Sequence, residues 1–219
     1  MQLIQEAQIQ TASGVNIKVL SFGLTDYADS YQAMLAHSQQ RDKTETSSEL
    51  DQIWLIQHLP VYTQGTACTH ATLLASDVPI VKTDRGGQIT YHGPGQIVMY
   101  PLLHLKSYKL GVKALVANLE QAVIDLLAAH EIRGERREDA PGVYVNQAKI
   151  AALGLRIRRG SSYHGLSLNV EMDLSPFRNI DPCGYEGLEV TQLADLKPQM
   201  LLDLHALEQS LLKSFVRLI

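Results

Sequence analysis

Cys183 stands between a proline and a glycine in the stretch Asn179-Ile180-Asp181-Pro182-Cys183-Gly184-Tyr185. That setting is a loop or a sharp turn, and loops carry function more often than core elements do. The thiol is either a nucleophile or an incidental exposed cysteine. As a nucleophile it needs help, because an unperturbed thiol has a pKa of about 8.5 and is mostly protonated at neutral pH. His92, His164 and Lys149 are the candidate helpers, each in a glycine- or alanine-rich context. Lys149 opens the apolar, small-residue run Lys149-Ile150-Ala151-Ala152-Leu153-Gly154-Leu155. A lysine there is either at a sheet rim with its head in water or buried for a purpose. In the second case it either takes the proton of Cys183 or stays charged and stabilises the thiolate. Two unit charges roughly 4 Å apart interact by about 4 kcal/mol at an effective dielectric near 20, before desolvation is subtracted.

A second stretch, Asp84-Arg85-Gly86-Gly87-Gln88-Ile89-Thr90-Tyr91-His92-Gly93-Pro94-Gly95-Gln96, spends glycine, histidine and charge where a core would spend valine. Glycine lets backbone approach a ligand closely. The stretch is either a substrate cradle with N–H groups facing a carbonyl or phosphate, or a β-hairpin with glycine turns. It lacks the Gly-Lys-Ser/Thr ending of a P-loop, and no G-x-G-x-x-G opens a helix.

These residues need elements to position them. Helical spacing predicts helices over Tyr27 to Arg41, Val112 to His130 and Pro198 to Ile219. Strand signals cover Ile53 to Ile56, Val78 to Lys82, Ile97 to Leu103, Val143 to Asn146, Ile150 to Arg158 and Gly165 to Val170, with a short one at Gln88 to Tyr91. Strands outnumber helices without strict alternation. The fold class expected is therefore α/β of the α+β type, a mixed β-sheet with helices packed on it. The polar runs Arg41 to Glu49 and Arg133 to Asp139 read as surface.

The chain has 219 residues, a net charge of −4 and 45% hydrophobic residues, which suits one domain over 1–219 with a sizeable core. That balance argues against a general nucleic-acid binder. Two cysteines, Cys68 and Cys183, are too few for a disulfide scaffold. No signal peptide is read at the N-terminus and no apolar run nears a membrane span, so a cytoplasmic protein with free thiols is expected. Cys68, His70, His92, His164 and Cys183 match no common zinc spacing, and no metal is expected. Arg156-Ile157-Arg158-Arg159, Arg136-Arg137 and Lys106 are either a solvated face or a docking patch for an acidic carrier.

Five segments occur together in one order: Arg85 to Gln96, Ala140 to Tyr144, Lys149 to Gly154, Tyr163 to Asn169 and Asp181 to Gly184. In them the chain resembles the lipoyl(octanoyl) transferases, most strongly over residues 53–196. The resemblance implies the fold of biotin and lipoate protein ligases and an octanoyltransferase reaction without cofactor or ATP. Octanoyl-acyl carrier protein would give its acyl group to Cys183. The resulting thioester would pass it to a specific lysine of a lipoyl domain, as in the E2 subunits of 2-oxoacid dehydrogenases or the glycine cleavage H protein. Lys149 matches the lysine that lowers the cysteine's pKa. Arg85, Gly86, Gly87, Gln88, Ile89, Thr90, Tyr91 and His92, then Ala152, Leu153 and Gly154, then Gly165, Leu166 and Ser167, match the segments lining the acyl site. Residues 64–70 and Ser161-Ser162 depart from the family pattern. An ATP-dependent lipoate or biotin ligase, a lipoyl amidotransferase and a non-catalytic acyl-carrier binder are the rivals, and a monomer is the default.

Overall fold

The structure, a computed structural model, describes residues 1–41, 50–68, 77–138, 140–180 and 189–219. Cys183 and His70 lie outside the described residues, as do the polar positions 42–49.

Ten strands and four α-helices are formed among these residues. In chain order they are β1 (Leu3–Gln10), β2 (Asn16–Thr25), α1 (Tyr27–Arg41), β3 (Gln52–His58), β4 (Val61–Gln64), β5 (Ile80–Lys82), β6 (Ile89–His92), β7 (Gln96–Leu102), α2 (Val112–Ala129), β8 (Gly142–Val145), β9 (Ala148–Arg158), β10 (Ser161–Asn169), α3 (Leu193–Leu196) and α4 (Leu204–Val216). Seven strands make one sheet in the order β1-β2-β3-β7-β10-β9-β8, and β5-β4-β6 make a smaller one. β2 and β3 run parallel while their neighbours pair antiparallel, and β4 pairs parallel with β5 and antiparallel with β6. Both sheets are therefore mixed, as the unalternated strand signals predict.

The two faces of the large sheet follow from strand periodicity, since successive side chains point to opposite sides. On β3 and β7, Ile53, Leu55, Ile97 and Met99 join the core under α2 and α4. Trp54, Ile56, Val98, Tyr100 and Leu102 face the other way, against Met34 of α1. Strands covered on both faces read as unbroken apolar runs, which is why these two stood out in the sequence. α2 presents Leu115, Leu119, Val123, Leu126 and Leu127, all buried, and packs beside α4. Burying one such leucine is worth about 1.5–3 kcal/mol.

Three expectations change. The C-terminal helix starts at Leu204 and not at Pro198, because the Asp203 side chain accepts the Ala206 N–H at 3.2 Å and caps it there. Leu201, inside the span expected to be helical, is 93% exposed. Arg41, read as surface, is buried: its guanidinium pairs with Asp51 at 2.6 Å and donates to the Leu102 carbonyl at 2.9 Å. β1, β2 and β4 were not anticipated. β1 is exposed at every residue but Ile9, so it buries almost none of either face.

Candidate active site

A cavity of roughly 770 Å³, its open mouth included, lies between the centre of the large sheet and the edge of the small one. Its floor is Val98 and Tyr100 of β7, Ile150, Ala151, Ala152, Leu153 and Gly154 of β9, and His164, Gly165, Leu166, Ser167 and Asn169 of β10. Its roof is Arg85, Gly87, Gln88, Ile89, Thr90 and His92. Tyr27 at the start of α1, with Pro141, Lys149, Phe177 and Val190, completes the wall. The mostly apolar lining with a few convergent polar groups is that of a small-molecule site.

Glycine lets backbone approach backbone here. A methyl on Gly165 would lie 2.0 Å from the Met99 carbonyl oxygen, so β10 can pair this closely with β7 only without a side chain. Gly87 turns the roof loop at φ +80°, a conformation that favours glycine. Arg85 clamps that loop: it donates to the Thr63 carbonyl at 2.6 Å, to Thr63 Oγ1 at 2.9 Å and to the Gly86 carbonyl at 2.9 Å.

Thirteen of the residues expected from the sequence line this one cavity: Arg85, Gly87 to Thr90, His92, Lys149, Ala152 to Gly154 and Gly165 to Ser167. Gly86 and Tyr91 do not. Gly86 spends its N–H on the Leu155 carbonyl at 2.9 Å. Tyr91 sits next to His92 on β6 and so points to the opposite side. Its ring lies 5.5 Å from Tyr62 and 5.6 Å from Phe177 in a separate apolar cluster, which Cys68 also borders.

Lys149 is buried, only 5% exposed. Its backbone is stitched to the segment beyond Cys183: Lys149 N–H donates to Glu189 O at 2.8 Å, and Thr191 N–H to Lys149 O at 3.0 Å. Its Nζ lies 5.3 Å from the centroid of the Tyr144 ring. Phe177 and Val190, which flank Cys183 in sequence, both line the cavity.

The histidine end is a buried relay of polar groups. His92 Nδ1 donates to Gln96 Oε1 at 2.7 Å, and Gln96 Nε2 donates to Asn169 Oδ1 at 2.9 Å. Asn169 Nδ2 then donates to the Thr191 carbonyl at 3.0 Å. Burial first, then the neighbouring His58, pulls His92 down to about 3, so it is neutral at physiological pH. Tyr27 stacks on His92 with centroids 5.7 Å apart. Its hydroxyl is 3.4 Å from His164 Nδ1, and His164 Nε2 is 3.1 Å from Asp84 Oδ1. Asp84 also accepts from Tyr31 at 3.1 Å and from Tyr163. Burial pushes the Asp84 carboxyl upward, but the bonds from His164, Tyr163 and Tyr31 outweigh it and hold it well below the usual carboxylate range. His92 and His164 thus both face the cavity, while His58 stands behind it, 2.7 Å from the Tyr100 hydroxyl.

The basic residues read as a docking patch are partly committed. Arg136 pairs with Glu120 at 3.2 Å, Arg137 lies 4.2 Å over the Tyr144 ring and Arg156 approaches Asp84 at 3.9 Å. Tyr27, Tyr100, Phe177 and Val190 were missed as lining residues. Their types are those of core, and only their place on the cavity wall distinguishes them.

The fold is that of the lipoate and biotin ligases. A bipartite lipoate protein ligase of Thermoplasma acidophilum superposes with a TM-score of 0.64 at 12% identity, covering 88% of this chain and 80% of that one. A biotin protein ligase from Aquifex aeolicus superposes at 0.54 and 13% identity, covering 89% of this chain and 68% of the other. Residues 27–216 match the lipoyl protein ligase A/B catalytic domain, and the chain belongs to that family. It groups with the family's octanoyltransferases, which are acyltransferases: the octanoyltransferase of Cellvibrio japonicus is 53% identical over 184 residues, 84% of each chain.

Proposed function

We propose that the chain transfers an octanoyl group from octanoyl-acyl carrier protein to a specific lysine of a lipoyl domain, through a thioester on Cys183. The observation that carries this is the placement of Lys149. It is buried in the wall of an apolar-floored cavity, with its backbone bonded to the segment that follows Cys183. In the first step the Cys183 thiolate attacks the donor thioester, the carbonyl–sulfur bond to the carrier breaks and the carrier thiolate leaves. In the second, the acceptor amine attacks the acyl-enzyme, an amide forms and the Cys183 thiolate departs. Lys149 lowers the pKa of Cys183 and so supplies the thiolate at neutral pH. The first step exchanges one thioester for another and the second is downhill to an amide, so no ATP is consumed.

Ile89, Val98, Leu153, Leu166 and Phe177 supply an apolar wall for the acyl chain, whose burial is worth about 0.8 kcal/mol per CH₂. Arg85 to His92 and the 152–154 and 165–167 segments are the substrate-binding residues in this reading, with Gly86 and Tyr91 acting only as support. The chain works as one catalytic domain, a cytoplasmic monomer. No helix among the described residues is long and apolar enough to cross a membrane.

Intact mass spectrometry after mixing with octanoyl-acyl carrier protein tests this. One octanoyl group should appear on the wild-type protein and none on Cys183→Ser. Acyl transfer by an enzyme that is never acylated would sink the covalent route. Transfer that requires ATP and free octanoate would establish a ligase, and transfer from an already lipoylated protein an amidotransferase.

A further inference from the structure

Glu120 is a buried carboxylate on α2, within the same stripe as Leu119 and Val123. An apolar stripe holds a charge only where that charge has partners. Oε1 accepts the backbone N–H of Gly142 at 2.9 Å, and Oε2 meets Arg136 Nε at 3.2 Å. Arg136 is in turn fixed to α2 by donating to Ala117 O at 3.1 Å and Gln121 Oε1 at 2.7 Å. The carboxylate therefore ties α2 to the first residue of β8.

β8 is the strand against which Lys149 rests. A methyl on Gly142 would lie 3.2 Å from Lys149 Cε and 2.7 Å from the Ala151 carbonyl, so bare backbone presses on the lysine stem. Two residues on, the Tyr144 ring faces the Lys149 ammonium at 5.3 Å. The Tyr144 hydroxyl donates to Ala140 O at 2.9 Å, closing the turn that brings Pro141 to the cavity wall. Stem and ammonium of Lys149 thus both lie against β8.

We propose that Glu120, seconded by Arg136, is a positioning residue for Lys149: by holding Gly142 it sets the wall against which the lysine stem and ammonium rest. This rests on the reading of Lys149 and Cys183 given above. Glu120 makes and breaks no bond in the reaction.

The test uses the full chain carrying Cys68→Ser, so that Cys183 is the one thiol left to report. Octanoyl-transfer kcat and KM and the rate of iodoacetamide alkylation across pH are measured for Lys149→Ala, Glu120→Met, Glu120→Gln, Arg136→Met and the Glu120→Met/Lys149→Ala pair. Glu120→Met should lower kcat about tenfold with KM for the donor within about twofold, since it misplaces a reacting group without touching substrate. Glu120→Gln keeps an acceptor for Gly142 and should recover to within about threefold of wild type. Glu120→Met should cost nothing further once Lys149 is gone, because both act through one ammonium. Arg136→Met, at a partly exposed position, should fold and cost about threefold even if Glu120→Met does not fold. Wild-type kcat in Arg136→Met or Glu120→Met overturns the proposal, as does an equal loss from Glu120→Met with and without Lys149. A wild-type rate and alkylation profile in Lys149→Ala would instead remove the reading of Lys149 itself.

Discussion

Asp51 and Asp84 are both carboxylates held by tyrosine hydroxyls near an arginine, and their surroundings set them apart. Asp51 is 1% exposed and accepts from Tyr108 at 2.6 Å and from the His104 N–H at 2.9 Å, beside the 2.6 Å pair with Arg41. Burial nonetheless pushes its carboxyl up. Asp84 has a third of its side chain exposed and its carboxyl is held down, because three donors outweigh a smaller desolvation. The Asp51 network closes on itself, joining the end of α1 to β3 and β7. The Asp84 network opens through His164 and Tyr27 onto the cavity. A buried ion pair is thus no sign of a site, whereas a polar chain that ends at a cavity wall is.

The sharpest way to break the comparison is Arg41→Met. It strands a buried carboxylate and should cost about 3–5 kcal/mol of stability in urea denaturation, with kcat of the folded protein within about twofold of wild type. A large loss of kcat at full stability would place the Asp51 network in the site after all. Asp84→Asn should show the opposite balance. It should lose about 1–2 kcal/mol of stability and about tenfold in transfer, because Asp84 anchors the loop that roofs the cavity. Transfer at the wild-type rate would show that the loop holds its place without it.

Acidification separates the two by sign. The depressed Asp84 carboxyl contributes stability present above its unfolded-state value and lost as pH falls through the folded one. The raised Asp51 carboxyl contributes stability present below its unfolded-state value and lost as pH rises through the folded one. His58 and His92, drawn down mainly by burial to about 4 and about 3, add stability above the ordinary value of 6.5 that fades as pH falls towards theirs. The urea midpoint should therefore drop between about pH 6.5 and 4, and His58→Gln should flatten that drop. An unchanged slope in His58→Gln would mean that this ring is not the neutral, buried group described. The smallest effect belongs to Tyr163→Phe, which removes one of three hydroxyl and imidazole donors to Asp84 and should cost about 1 kcal/mol. A loss as large as that of Asp84→Asn would make the Tyr163 bond the network's main support.

Much of the fold could be read from the chain because its central strands and α2 have a simple period. β3, β7 and α2 announce themselves by unbroken or helically spaced apolar residues. β1 does not, since almost none of its side chains is buried on either face. Cys183 and Lys149 stood out by their settings, but only the resemblance paired them, for the residues alone left an incidental cysteine and a rim lysine open. The Asp84–His164 contact joins positions 80 residues apart, and nothing local foretells it. Tyr27 and Tyr100 look like core because a cavity wall and a core are built from the same side chains. Arg41 misled for the converse reason: charge reads as surface until a buried partner such as Asp51 is known.

β1 bears on how the chain tolerates trimming. The family match begins at Tyr27, yet β2 lies before it and covers the parallel side of β3, with β1 outermost. Glutamines and a Glu6–Lys18 ion pair at 3.0 Å dress that outer hairpin, with Ile4 69% exposed among them. Such polar dressing keeps one molecule's sheet from annealing to another's. Removal of the first 25 residues would bare the apolar flank of β3 instead. A fragment cut to the family boundary would then be expected to precipitate on expression, although every cavity-lining residue named here would still be present.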